Sequence, residues 1–201
     1  MPEQTVESPR PTDADRWLKT YYLLRGAFSL VWVVAALTVA GRAPGVASAL
    51  LLIYPAWDAA ANVLDARQNA GFRRNPTQTF NAVVSGVTTV AVGVALIIGL
   101  HTVLAVFGVW AALSGLLQLA TAARRWKRHG AQWLMVLSGA QSAAAGGMFL
   151  IQANGPDVPG IADIAPYAAF GAFYFLLSAG WLTVSGAQRR RQTRASIFTA
   201  P

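Results

Sequence analysis

Residues 78–123 read QTFNAVVSGVTTVAVGVALIIGLHTVLAVFGVWAALSGLLQLATAA, a stretch without a single Asp, Glu, Lys or Arg. It divides into two apolar blocks, Gln78–Gly99 and Thr102–Ala123, around the short turn Leu100–His101. About 20 helical residues cross the ~30 Å hydrocarbon core of a bilayer, so each block is long enough for one span. Working outward, four more blocks of the same kind lie at Trp17–Ala40, Val46–Asp65, Ala131–Gln152 and Ile161–Ser185. A soluble core could absorb one such block, but not six in series. Composition agrees: of 201 residues, 55% are hydrophobic and only 12% charged, whereas soluble domains carry about 25% charged residues. The expected fold is an all-α membrane protein whose six transmembrane helices occupy residues 17–186. A polar, proline-containing and disordered tail precedes them at 1–16, and a basic tail follows at 187–201.

The connections between blocks alternate in charge. On one side GRAPG (41–45), Leu100–His101 and NGPDVPGIAD (154–163) carry one basic residue between them, Arg42. The other side holds 14, from Arg10, Arg16 and Lys19 through Arg67, Arg73 and Arg74 to the clusters at 124–128 and 189–194. Basic loops stay in the cytoplasm during insertion, so both termini are expected there. The same loops suit anionic lipid headgroups. This distribution also explains the net charge of +8 without nucleic acid as a partner. There are no cysteines, which excludes disulfides and thiolate metal sites. No cleavable signal peptide is expected, because the first apolar block is too long for one.

The six blocks also repeat in pairs. The odd blocks share an early glycine, at Gly26, Gly86 and Gly139, and the even blocks share a short aromatic motif. That motif is Tyr54-Pro55-Ala56-Trp57, then Phe107-Gly108-Val109-Trp110, then Phe170-Gly171-Ala172-Phe173. The six helices are therefore expected to form three pseudo-repeated hairpins. Over Tyr21 to Ser185 this pattern of glycine-rich hairpins and basic inner loops resembles the HdeD-like family, small bacterial inner-membrane proteins classed under domain of unknown function 308. The resemblance implies a bacterial plasma-membrane location and a role in acid resistance or envelope stress. It implies no catalytic residues. Further glycines recur at helix-packing spacing, including Gly93, Gly115, Gly146, Gly147 and Gly180, as close approach of helices in lipid requires.

The second block carries the most unusual chemistry. Tyr54, Asp58, Asn62 and Asp65 fall on one helical face. Asp65 is near the cytoplasmic interface and can reach water or Arg67. Asp58 lies two turns deeper, where an ionised side chain costs roughly 2.5–3.5 kcal/mol and needs a partner. Arg25, at similar depth in the first block, is the expected partner, with Asn62 or Tyr54 extending the pair. Three readings stand at this point: the pair fixes helix register, it responds to protons or ions, or Arg25 snorkels to the interface with no partner.

Polar residues also recur at helical spacing in the other blocks: Gln78, Asn81, Ser85 and Thr88 or Thr89; Ser114, Gln118 and Thr121; Ser138, Gln141 and Ser142; Tyr174 and Ser178. Interhelical hydrogen bonding is sufficient reason for them; a polar route would require the faces to converge. His101 reads as a polar turn residue, or as a sensor of an acidic exterior. There is no phosphate loop and no paired-histidine metal spacing. The expectation is a protein without catalytic, metal or cofactor site. A small transporter or channel, with Pro55 marking a broken helix, is one alternative. A membrane-embedded partner or assembly subunit, oligomeric with itself or another protein, is the other.

Overall fold

The computed structural model describes residues 13–69, 71–125 and 132–198. Six α-helices account for nearly all of them: α1 Asp13–Thr38, α2 Pro44–Gln68, α3 Pro76–Ile98, α4 Leu100–Arg125, α5 Gln132–Gln152 and α6 Ile161–Phe198. Residues 1–12, and Trp126, Lys127, Arg128 and His129 of the basic loop, lie outside the described residues. Asp13–Arg16, read above as tail, form the first turn of α1, and α6 continues past Ser185 through the basic stretch to Phe198.

Five of the helices are long and apolar enough to cross a membrane. The exposure pattern of the bundle is that of a membrane protein. Ile97, Val90 and Val31 are 87%, 69% and 69% exposed, while Ser85, Asn62 and Thr88 are 1%, 5% and 6% exposed. The outward surface is apolar while several polar side chains are held inside, as a hydrocarbon solvent demands.

Local sequence explains the joints. The α3–α4 reversal takes one residue, Gly99, whose φ of +148° suits glycine. Its N–H bonds to the Ala95 carbonyl at 2.8 Å, and its own carbonyl accepts from Val103 N–H at 3.1 Å. One glycine thus closes α3 and opens α4. The turn is therefore at Gly99; Leu100 and His101, expected to form it, are the first residues of α4, and His101 is half-buried. Pro76 takes the first position of α3, where its missing N–H costs nothing. Asn75 precedes it but does not cap the helix with its side chain. Its amide instead donates to the carbonyls of Asn69 and Gly71, bracing the α2–α3 connection. Pro55 does not break α2, which runs unbroken through it.

Packing groups the helices differently from the chain order of the repeats. The closest pairs are α4 with α5, α1 with α6, and α2 with α3, whereas α1–α2 and α5–α6 touch sparingly. The hairpin grouping describes connectivity, and the tight contacts form between one hairpin and the next. Glycine explains the closest pair. A Cβ at Gly115 would lie 2.4 Å from Ala143 N, and one at Gly146 would lie 2.5 Å from Ala112 N. The α1–α6 pair meets where Gly26 faces Leu176 and the Ala172 carbonyl. Gly86, Gly147 and Gly180 have open space instead, so helix spacing alone does not identify the glycines at contacts.

Candidate functional site

The three helix pairs leave a partly open chamber of about 170 Å³ between them, lined by polar and aromatic side chains. Every helix contributes to it: Arg25 and Ser29 from α1, Asp58 from α2, Asn81 from α3, Gln118 from α4, Gln141 from α5 and Tyr174 from α6, among others. The polar faces readable on the separate helices do converge. Of the residues noted in the sequence, Asn81, Ser114, Gln118, Ser138, Gln141, Ser142 and Tyr174 line this space. Ser178 does not: its hydroxyl donates to the Tyr174 carbonyl of its own helix.

One wall is a connected charge network. The Arg25 guanidinium forms an ion pair with Asp58 Oδ1. Asp58 Oδ2 accepts from Ser85 Oγ at 2.7 Å and from Asn62 Nδ2 at 3.0 Å. Both carboxylate oxygens are thus satisfied from three helices, α1, α2 and α3. Arg25 donates also to the Tyr21 hydroxyl at 2.8 Å, and its guanidinium lies 4.3 Å from the centre of the Phe175 ring on α6. Tyr21 is buried and holds Arg25. The chain of donors continues beyond the pair, because Trp110 Nε1 donates to Ser85 Oγ at 3.0 Å.

Tyr54 lines the chamber without joining this network; its hydroxyl meets Ser29 of α1. Asp65 lies apart from it. It is 6% exposed rather than at the water, and accepts from Trp17 Nε1 of α1 at 3.2 Å and Asn69 Nδ2 at 2.8 Å. The five residues singled out on α1 and α2 therefore divide. Arg25, Asp58 and Asn62 form one cluster, Tyr54 a neighbouring wall, and Asp65 a separate tie between the helix ends.

An aromatic layer bounds the chamber. Trp32 packs on Tyr54 at 4.8 Å, Tyr54 meets Trp110 edge-on at 5.8 Å, and Trp110 meets Tyr167 at 6.2 Å. Phe149 completes it against Tyr167 at 6.0 Å. Five helices contribute to this layer. Beyond it the interior is apolar, filled by Leu51, Val103, Leu104 and Ile164. Two of the layer's rings come from the repeated motif of the even helices, Tyr54 and Trp110. In the third repeat the layer uses Tyr167 instead, one turn before Phe170. Ser29, Trp32, Tyr167 and the bridging role of Ser85 escape a reading of single helices. A signal for Tyr167 does exist, since it shares a face with Tyr174 two turns later.

Three buried polar atoms on chamber residues lack a protein partner: Arg25 Nε, Trp57 Nε1 and Gln118 Oε1. Such groups are rare in folded proteins and call for an explanation. Among the described residues, no three His, Asp or Glu side chains are grouped to hold a metal ion.

Fold and chamber define a multi-pass α-helical membrane protein with a polar interior. A family model described as a short repeat of unknown function (DUF308) matches residues 84–151, which run from within α3 through α4 to the end of α5. This is 68 of the 201 residues, the middle of the segment over which the resemblance was drawn. Comparison with curated proteins and with solved structures gave no match.

Proposed function

We propose that this chain is a non-enzymatic six-span protein of the bacterial plasma membrane that handles a small polar solute in its central chamber. The convergence of polar side chains from all six helices carries this reading, because packing alone needs only pairwise hydrogen bonds. α5 counts as the sixth span: from Leu134 to Ile151 it has no charged residue. The basic bias of the loops supports cytoplasmic termini and contact with anionic lipid. The acid-resistance or envelope-stress setting we propose for that activity rests on the HdeD-like sequence pattern alone, since the matched short repeat is itself of unknown function.

The absence of native cysteine permits a direct test. Ser114→Cys and Ser138→Cys line the chamber and are expected to react with a membrane-impermeant thiol reagent in inside-out membrane vesicles, which present the cytoplasmic side. Val90→Cys, at an apolar outward position, is expected to stay unreactive. Failure of both chamber cysteines to react would mean a closed, packed interior and would remove the solute reading.

A second reading is a membrane-embedded partner or assembly subunit. Gly86, Gly147 and Gly180 have open space around their Cα atoms and so support close approach by another helix, from this chain or a different protein. Cross-linking from cysteines beside these glycines distinguishes it.

A further inference from the structure

We propose that the chamber takes an uncharged hydrogen-bonding solute, a small polyol or amide of roughly four to ten non-hydrogen atoms, and excludes ions of that size or smaller; benzene, for scale, fits a cavity of about 150 Å³. The inference rests on the chamber being a solute site. It adds the chemistry and size of the occupant.

Charge is the first argument. Among the described residues lining the chamber only Arg25 and Asp58 are charged, and they are paired with each other. An anion would find Arg25 already committed to Asp58 and Tyr21, and a cation would find Asp58 already accepting from Arg25, Ser85 and Asn62. The Phe175 face, which could otherwise attract a ligand cation, already lies against the guanidinium. A lone ion would therefore enter unpaired or would separate the pair, and each alternative leaves an uncompensated charge in a poorly solvated space. A zwitterion meets the same obstacle twice.

Hydrogen bonding is the second argument. Apart from Arg25 and Asp58, the polar lining of the chamber consists mainly of neutral amides and hydroxyls that together donate and accept. An apolar occupant leaves them unpaired, and sites with unpaired buried polar groups reject occupants lacking the complementary groups. Hydroxyls and primary amides both donate and accept, so one small molecule can answer both kinds of atom. Asn81, Ser114, Ser138 and Gln141 add neutral partners around it.

Protection of Ser138→Cys in the full-length protein in inside-out membrane vesicles tests this. The probes are glycerol, xylitol, urea and acetamide, set against acetate and methylammonium, with sucrose as a control too large to enter. An occupant slows labelling by 1 + [L]/Kd, roughly tenfold at ten times Kd. The expected result is that at least one uncharged probe protects and neither ion does. In Asp58→Asn acetate should begin to protect, and in Arg25→Gln methylammonium should. The double Arg25→Gln/Asp58→Asn should return to the uncharged pattern, and protection of each single variant by the same uncharged probe shows that it still folds. Protection of the parent chain by an ion would overturn the inference and leave the solute reading intact. A reactive cysteine that no probe protects would mean a chamber holding water alone and would overturn it as well. An inert cysteine would remove both.

Discussion

At the α4–α5 interface, Gly108, Gly115, Gly139 and Gly146 bring two helices so close that an added Cβ at each would find its nearest neighbour at 2.9, 2.4, 2.9 and 2.5 Å. The α1–α2 interface has little such contact, and among the described residues four polar links join it: Trp17 to Asp65, Arg25 to Asp58, Ser29 to Tyr54, and Trp32 Nε1 to the Leu50 carbonyl at 2.8 Å. In lipid no hydrophobic drive holds helices together, so each interface needs close packing or polar contacts. One uses mostly the first and the other mostly the second. The consequence is geometric. Where backbones meet there is no interior space, and where long polar side chains bridge the gap a chamber remains. The DUF308 match contains the whole α4–α5 contact and none of α1 or α2.

The largest effect should come from breaking the polar interface on one side only. Arg25→Leu or Asp58→Leu leaves the other charge without its partner, at a cost of about 3–5 kcal/mol. Arg25→Leu/Asp58→Leu removes both charges and should recover most of that loss in thermal unfolding of the purified protein. Equal damage from the single and double variants would show that the pair adds no mutual stability. Next come the glycines. Gly115→Ala or Gly146→Ala drives a methyl into the backbone of the facing helix, for about 1–3 kcal/mol or more. Gly147→Ala, the next residue on α5, meets nothing within 4 Å and should change stability by no more than about 0.5 kcal/mol. If the two α5 variants melt alike, the close approach is not what holds the interface. A smaller loss is expected from Ser85→Ala, which removes one acceptor of the Trp110 indole and one donor to Asp58. Interhelical hydrogen bonds of this kind average about 0.6 kcal/mol and reach about 1.7. The emission of Trp110, followed against a Trp110→Phe background, should shift with the loss of its partner.

How far these interfaces can be read from sequence depends on which physical signal each uses. Helix positions are legible because hydrocarbon thickness sets block length: the block Gln78–Gly99 and the helix Pro76–Ile98 differ by two residues at most at either end. The stripe Tyr54, Asp58, Asn62, Asp65 is legible because helical periodicity places it on one face. Depth alone then suggests Arg25 as a partner. Ser85 is different. Its place in a polar stripe is visible, but its bond to Asp58 depends on how α2 rotates against α3, which no local pattern encodes. Gly86 and Gly146 look alike in sequence, yet one has open space and the other touches backbone. The grouping into pairs is hidden for the same reason. Repeats record how hairpins follow one another, and packing here joins each hairpin to the next.

The smallest expected effect falls at the seam between α5 and α6, which touch sparingly despite being consecutive. The Ser142 hydroxyl donates to the Ala111 carbonyl at 3.3 Å, so it has its oxygen left to accept from the Tyr167 hydroxyl at 3.1 Å. That bond links α6 to the α4–α5 pair directly beside the aromatic layer. Tyr167→Phe deletes it while keeping the ring that packs on Trp110 and Phe149, so global stability should fall by only about 0.6 kcal/mol. Local behaviour should respond more. With few other contacts between α5 and α6, loss of this link lowers the cost of parting them, and amide exchange in the middle of α6 should quicken relative to α4. Unchanged exchange in Tyr167→Phe would mean that α6 is held by its contact with α1 alone, through Gly26 and Leu176. The chamber would then be bounded by one rigid α1–α6 unit set against the other four helices, and the polar links of Arg25 and Trp32 to α2 would be the contacts that fix its position.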